Sequence, residues 1–321
     1  MERPPFQITP LVLKLVAEIQ QLLGEIKTLS IRKPPIKLRK ENKVRTIHHS
    51  LAIEGNSLTK EQISSILENK KILGPKKQIL EVENAVRLYD KISTLDSSKE
   101  NDFLSAHKTL MAGLVDKPGV YRRSEVGIFK GSQVTKMAPT HKMVPRLMSN
   151  LFSFLRKDTQ TLEIIKACIF HYELEFIHPF VDGNGRMGRL WQQRILMNVS
   201  PSFEYLPVET LIHKNQKEYY RALEKSDKNG DSTIFVEFSL EMILLSLREF
   251  ADQISSNKPK SIDRIGFALE HFGTKKFSRK EYLQLHIGLS TASASRDLAQ
   301  AVKEKKLRIF ETKALARYQR S

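Results

Sequence analysis

Apolar residues recur at helical spacing along most of this chain, and the interruptions between them are short. Residues 10–29 open with Pro10-Leu-Val-Leu-Lys-Leu-Val-Ala-Glu-Ile and keep the rhythm of an amphipathic helix. Arg32-Lys-Pro-Pro-Ile36 breaks it as an extended linker, because proline fixes φ and donates no N–H. A second helix is expected over about 41–54, stopped by Gly55 as its C′ residue. Thr59-Lys-Glu-Gln62 reads as a capping box that opens a helix over 61–67. Residues 78–94 and 100–114 give two more amphipathic helices. The period then changes: Val126-Gly-Ile-Phe129 and Val134-Thr-Lys-Met137 flank Lys130-Gly-Ser, the pattern of a β-hairpin. From 161 to 176 the chain is largely apolar, as in a buried helix. Residues 187–199, 215–223 and 235–250 resume the helical period. The fold class is mainly α, a helical bundle with one hairpin.

The last fifth is organised differently. Ser255-Ser-Asn-Lys-Pro-Lys-Ser261 has linker composition. Two short helices follow, and Leu289-Ser-Thr-Ala-Ser-Ala-Ser-Arg-Asp-Leu298 leads into a third. This arrangement resembles a winged helix-turn-helix, with Ser293, Ser295 and Arg296 opening a recognition-like helix, although 306–312 lacks the glycine usual at a wing. Three regions are expected: a helical N-terminal region over 1–95, a core over 96–255 and the winged-helix-like domain over 258–321.

Charge sharpens this division. The chain has 321 residues and a formal net charge of +17, and 258–321 alone hold 15 Lys/Arg against 6 Asp/Glu. Nucleic acid or an acidic partner fits that excess, and so does a protein contact or a homodimer. The single cysteine, Cys168, lies in an apolar run, so no internal disulfide forms and a cytoplasmic setting is expected. No apolar stretch approaches the roughly 18 residues of a membrane span, and no signal peptide is read at the N-terminus. There is no Walker-A string and no zinc spacing, and His48-His49 lacks a third ligand.

The chemistry concentrates in His178-Pro-Phe-Val-Asp-Gly-Asn-Gly-Arg-Met-Gly-Arg-Leu190. Pro179 pushes His178 out of the α region, so the buried helix should end there. Gly183 and Gly185 allow backbone angles at which successive N–H groups converge into an anion-holding concavity. Arg186 and Arg189, three apart, share one helical face. Asp182 before the turn and two guanidinium forks after it suit a polyphosphate with its metal, and His178 suits a proton acceptor beside it. Upstream, Ser50 and Glu54 in Ser50-Leu-Ala-Ile-Glu-Gly-Asn56 lie four apart on one helical face, which on pattern alone is a helix end with a surface acid.

The central run fits the H-x-F-x-[DE]-G-N-G-R-x-x-R motif without a mismatch, and on it the chain resembles the Fic family. Over residues 45–250 the resemblance implies ATP-dependent transfer of AMP to a protein hydroxyl, with Mg²⁺ or Mn²⁺, the protein target being unidentified or the chain itself. It implies His178 as catalytic base and Asp182 as metal ligand. Gly183, Asn184 (through its side chain), Gly185, Arg186 and Arg189 would hold the phosphates. The segment 50–56 resembles the [ST]-x-x-x-E-[GN] inhibitory motif of the subclass with an N-terminal inhibitory helix, which implicates Ser50 and Glu54. The hairpin resembles the Fic flap that takes up a target segment as an added strand, with Val134 and Met137 at its edge. Tyr220 and Leu223 resemble the wall of the adenine pocket, and Asp227 stands where the family often has Asn. Two further readings stay open: de-AMPylation at the same site, and a DNA-binding regulator with a nucleotide-sensing core.

Overall fold

The computed structural model describes residues 3–29, 36–130, 133–256, 261–286, 288–310 and 316–321. The chain divides into two compact units: Met1–Leu23 with Arg39–Phe250, and Gly24–Leu38 with Ala251–Ser321. Helices α1 (Pro10–Leu29), α2 (Ile36–Ile53), α3 (Lys60–Leu67), α4 (Lys76–Tyr89) and α5 (Glu100–Leu110) come first. The hairpin β1 (Gly127–Lys130) and β2 (Gln133–Met137) follows, then α6 (Val144–Lys157), α7 (Glu163–Ile177) and α8 (Asn184–Val199). Helices α9 (Val208–Lys214), α10 (Gln216–Asn229) and α11 (Thr233–Ser256) complete that run. No helix among the described residues is long and apolar enough to cross a membrane.

Local sequence accounts for the element ends. Gly55 takes φ +88°, the left-handed turn that stops α2. Thr59 caps α3 and Gln62 returns the bond, closing the capping box. The helix read over 41–54 begins earlier, at Ile36. Of the Arg32–Ile36 linker, residues 32–35 lie outside the described residues. The hairpin pairs Gly127 with Met137 antiparallel, with a bulge between Ile128 and Phe129. The side chains of Val134 and Met137 lie outside the described residues.

The core of the first unit is built on α7, which is apolar over most of its surface and buries eleven of its fifteen residues. Its main partner is α8. Close approach is possible because Gly188 lacks a Cβ, which would stand 2.7 Å from the His171 ring. Phe103, Phe152, Phe170, Phe180 and Trp191 pack edge-to-face and stacked around this pair. Trp191 donates its indole N–H to the Ser97 carbonyl at 3.0 Å, so even the polar edge is satisfied. Burying these rings fixes the α7–α8 loop, which carries the motif.

The second unit contains α12 (Ser261–Phe272), β3 (Phe277–Ser278), α13 (Arg279–Leu285), α14 (Thr291–Lys303), β4 (Leu307–Phe310) and β5 (Arg317–Arg320). Its sheet runs β3-β5-β4, antiparallel throughout. Ile265, Ala268, Phe277, Tyr282, Leu298 and Leu307 lie in a separate core. An Arg264–Asp297 ion pair joins α12 to α14 beneath it.

Candidate active site

The α7–α8 loop is held from three sides. His178 ends α7 at φ 50°, ψ 59°, in the left-handed region. The residue before a proline was expected in the extended region, and Arg122 explains the departure. Its Nε donates to the His178 carbonyl at 2.8 Å, and its two terminal nitrogens donate to Ser124, Pro139 and Ile177 carbonyls. The Arg122 N–H also donates to Pro179 O at 2.9 Å. One guanidinium thus fixes the backbone that aims the histidine. Arg122→Ala would strand buried carbonyls, which predicts a loss of about 3–5 kcal/mol in a urea denaturation measurement. A loss below about 1 kcal/mol would mean that water replaces the guanidinium there.

His107, on α5, holds the loop from beneath. Its Nε2 lies 3.0 Å from the Asp182 carbonyl, and its Nδ1 accepts the Gly119 N–H at 2.8 Å. A carbonyl only accepts, so Nε2 carries the proton and the ring is neutral. Burial pushes the His107 pKa down to about 4, in keeping with that. The ring stacks on Phe180 with centroids 3.5 Å apart. Asn184 closes the loop from within: its carboxamide accepts the Phe180 N–H at 2.9 Å and donates to the Phe180 carbonyl at 3.0 Å. A phosphate role was expected of that side chain. Each end of the carboxamide makes one bond to Phe180, because a tight turn must satisfy its own backbone first.

On this frame the functional groups converge. The His178 Nδ1 faces the Glu175 carbonyl at 3.4 Å, which assigns the proton to Nδ1 and leaves Nε2 as an acceptor. Burial lowers the His178 pKa from its ordinary value, and nearby Arg122 adds to this against the Glu175 hydrogen bond. The imidazole is therefore a neutral base at pH 7. Asp182 keeps 47% of its side chain exposed. Its Oδ1 accepts from the Gly183 N–H at 2.6 Å and from Arg186 at 2.8 Å. Gly183 sits at φ +90° with no room for a Cβ beside the Met111 sulfur. Arg186 also reaches Glu81 at 3.6 Å.

Arg189 is almost wholly buried, with 1% of its side chain exposed. Its Nε donates to Ser50 Oγ at 3.2 Å, and one terminal nitrogen donates to Ser50 O at 2.9 Å and Glu54 Oε1 at 2.7 Å. The other, Nη1, is buried without a hydrogen-bond partner. The end of α2 therefore lies on the first turns of α8. Gly185 permits the approach, since a Cβ there would collide with the Glu54 carboxylate. A second acid, Glu175, crowds the same place. Burial and the Glu54 charge push its pKa up to about 7, and Tyr219 donates to it at 3.3 Å. Tyr220 is exposed beside the buried Tyr219, with Leu223 one turn along α10. Asp227 accepts from the Tyr172 hydroxyl at 3.0 Å.

A model of the Fic/DOC family matches residues 95–196. A solved structure of a Fic family protein from Desulfovibrio desulfuricans G20 is 40% identical. It covers 100% of this chain and 98% of its own, with a TM-score of 0.77. The chain belongs to the Fic family. Curated Fic relatives include proteins named protein adenylyltransferase Fic from Nematostella vectensis and Drosophila melanogaster, each 31% identical over 213 and 234 residues. Those matches take in 62% and 67% of this chain, and the chain spans 46% and 45% of the relatives' length. In this Fic chain the motif residues and the 50–56 segment, more than a hundred positions apart in sequence, meet at Arg189. His107, Arg122 and Glu175 were not singled out from sequence. A histidine four residues after Phe103 on an apolar face reads as core packing, and a lone arginine after a turn carries no pattern.

Proposed function

We propose that this Fic protein transfers AMP from ATP to a Ser, Thr or Tyr hydroxyl of a protein and is autoinhibited by Glu54. The observation that carries this reading is the meeting of a neutral histidine base with a buried arginine already occupied by a carboxylate. The names of the relatives point the same way. The His178 Nε2 would take the hydroxyl proton as the oxygen attacks the α-phosphorus, and the bond to the β-phosphate would break to release pyrophosphate. Arg186 and Arg189 would grip the β- and γ-phosphates with their planar forks. The Gly185 and Arg186 N–H groups, unpaired within the first turn of α8, would face the α-phosphate oxygens. Tyr220 and Leu223 would flank the adenine, and the hairpin edge at Val134 and Met137 would receive the target segment.

Magnesium fits this donor set. Asp182 offers a hard, half-exposed carboxylate whose bonds both fall on Oδ1. No group of three or more His, Cys, Asp or Glu able to hold a metal occurs among the described residues. Mg²⁺ suits such a site, since it is commonly held by one or two carboxylates together with substrate phosphates. Bound there it would neutralise phosphate charge. Incubation of the purified chain with ATP labelled at either the α- or the γ-phosphorus tests the reading. Label should enter protein from the α position alone; label from the γ position would make the chain a kinase.

A second reading concerns the second unit. Its element order, the Ser290-capped helix α14 and the exposed Arg296 and Lys303 suit a DNA duplex. The full chain should retard duplex DNA with an affinity that falls linearly in log salt, and Arg296→Ala should lower that slope by about one. Retardation that ignores salt would remove this reading.

A further inference from the structure

Residues 56 and 57, just past the end of α2, are stitched to the start of α4. The Asn56 side-chain amide donates to the Gln78 carbonyl at 3.1 Å and to Glu81 Oε2 at 2.8 Å. Ser57 donates its N–H and its hydroxyl to Gln78 Oε1, at 3.2 and 2.9 Å. Gln78 and Glu81 stand three apart, on one face of the helix. Glu81 is thus held by one oxygen, and the other faces Arg186: its Oε1 lies 3.6 Å from Arg186 Nη1. Glu81 belongs neither to the motif nor to the 50–56 segment, yet it touches both.

Arg186 needs such a neighbour. Its side chain is 6% exposed, and its Nε is buried without a hydrogen-bond partner. A buried cation is costly unless a countercharge stands beside it. Two carboxylates do so: Asp182, 2.8 Å from Nη2, and Glu81. Asp182 is half exposed, and in the proposed function its charge would go to Mg²⁺. Glu81 is buried to all but 14%, sits within a helix and keeps its second oxygen on Asn56. It is the countercharge that would stay when metal and phosphate arrive. At 3.6 Å the contact is an ion pair longer than a hydrogen bond, so Glu81 orients the guanidinium without taking up an N–H. Glu54, at 2.7 Å from Arg189, does take one up.

We propose that Glu81 is a positioning residue for recognition of the β-phosphate: the fixed countercharge that holds the Arg186 fork in place for it. This rests on the reading of Arg186 as the β-phosphate ligand. The test is Glu81→Gln, which keeps size and loses charge, made in the full chain carrying Glu54→Gly so that the inhibitory contact does not interfere. Isothermal titration with ADP and with AMP, both with Mg²⁺, separates the β-phosphate from the rest of the nucleotide. E81Q should weaken ADP by about tenfold or more and leave AMP unchanged, since removing one partner of a buried pair is costly. Unchanged AMP affinity also shows that the variant is folded. Arg186→Ala should show the same split, and E81Q added to it should weaken ADP no further. Asn56→Ala, which keeps the Glu81 charge, should affect ADP less than E81Q does. Equal loss of ADP and AMP in E81Q would make Glu81 merely structural, and tighter ADP would make it a competitor of the phosphate. An Asn56→Ala effect on ADP as large as that of E81Q would place the cause in the stitching of residues 56 and 57. Each of these, or no change in E81Q, overturns the positioning role while Arg186→Ala still separates ADP from AMP. If Arg186→Ala fails to separate them, the reading of Arg186 falls and the positioning role falls with it.

Discussion

Glu54→Gly is expected to raise AMP transfer by roughly ten- to a thousandfold. The Glu54 carboxylate lies 2.7 Å from an Arg189 that is almost wholly buried, and in the proposed reading the γ-phosphate of ATP would need the same fork. Two anions cannot share it. On the proposed reading, while Glu54 holds Arg189 the γ-phosphate would be displaced and the α-phosphorus misaligned for attack. One unit-charge pair at ~4 Å and an effective dielectric of ~20 is worth ~4 kcal/mol before desolvation. Glu54 is one-third exposed, so solvent screens part of this, and ~1.4–4 kcal/mol remains. Each ~1.4 kcal/mol is tenfold in rate. The double change Glu54→Gly with Arg189→Ala should lose most of the gain, since no fork remains to seat the γ-phosphate. Equal rates for wild type and Glu54→Gly, measured with one acceptor at saturating ATP, would leave residues 50–56 as an ordinary helix end.

His178→Ala is expected to cost ~10²–10⁴-fold in transfer while ATP still binds, because in the proposed reading the imidazole would act as a base and not as a phosphate ligand. The sign of the pH dependence follows from its setting. Burial lowers the His178 pKa below 6.5, so the base form persists below the pH at which an exposed histidine would charge. The rate attributable to the base should hold level through neutrality and fall only as the pH drops past that lowered value. A residual rate in His178→Ala within a few-fold of wild type would remove His178 from the base role. Isothermal titration with ATP separates this from lost binding: affinity should survive in His178→Ala and drop in Asp182→Ala when Mg²⁺ is present.

Much of this site was legible because its signals are local. The glycines at 183 and 185, the arginines three apart, and the Ser50/Glu54 pair ahead of Gly55 each encode their geometry within one turn of chain. The Thr59–Gln62 capping box and the hairpin are legible for the same reason. What could not be read are the supports supplied from a distance. Arg122 reaches His178 across 56 positions and His107 reaches Asp182 across 75. A lone side chain of either kind leaves no periodicity. The left-handed backbone at His178 follows from that missed arginine: a pre-proline preference is a local tendency, and several tertiary hydrogen bonds outweigh it. Asn184 shows the converse limit. Its place in the motif suggested a ligand, and only the closed loop reveals that its carboxamide also braces Phe180.

The most direct test of the account is the intact mass of the purified Glu54→Gly chain after incubation with ATP and Mg²⁺, beside the same variant carrying His178→Ala. The account predicts a mass gain of one AMP on the single variant and none on the double. A gain of a phosphoryl group instead of AMP, or an AMP gain that survives the loss of His178, would contradict it.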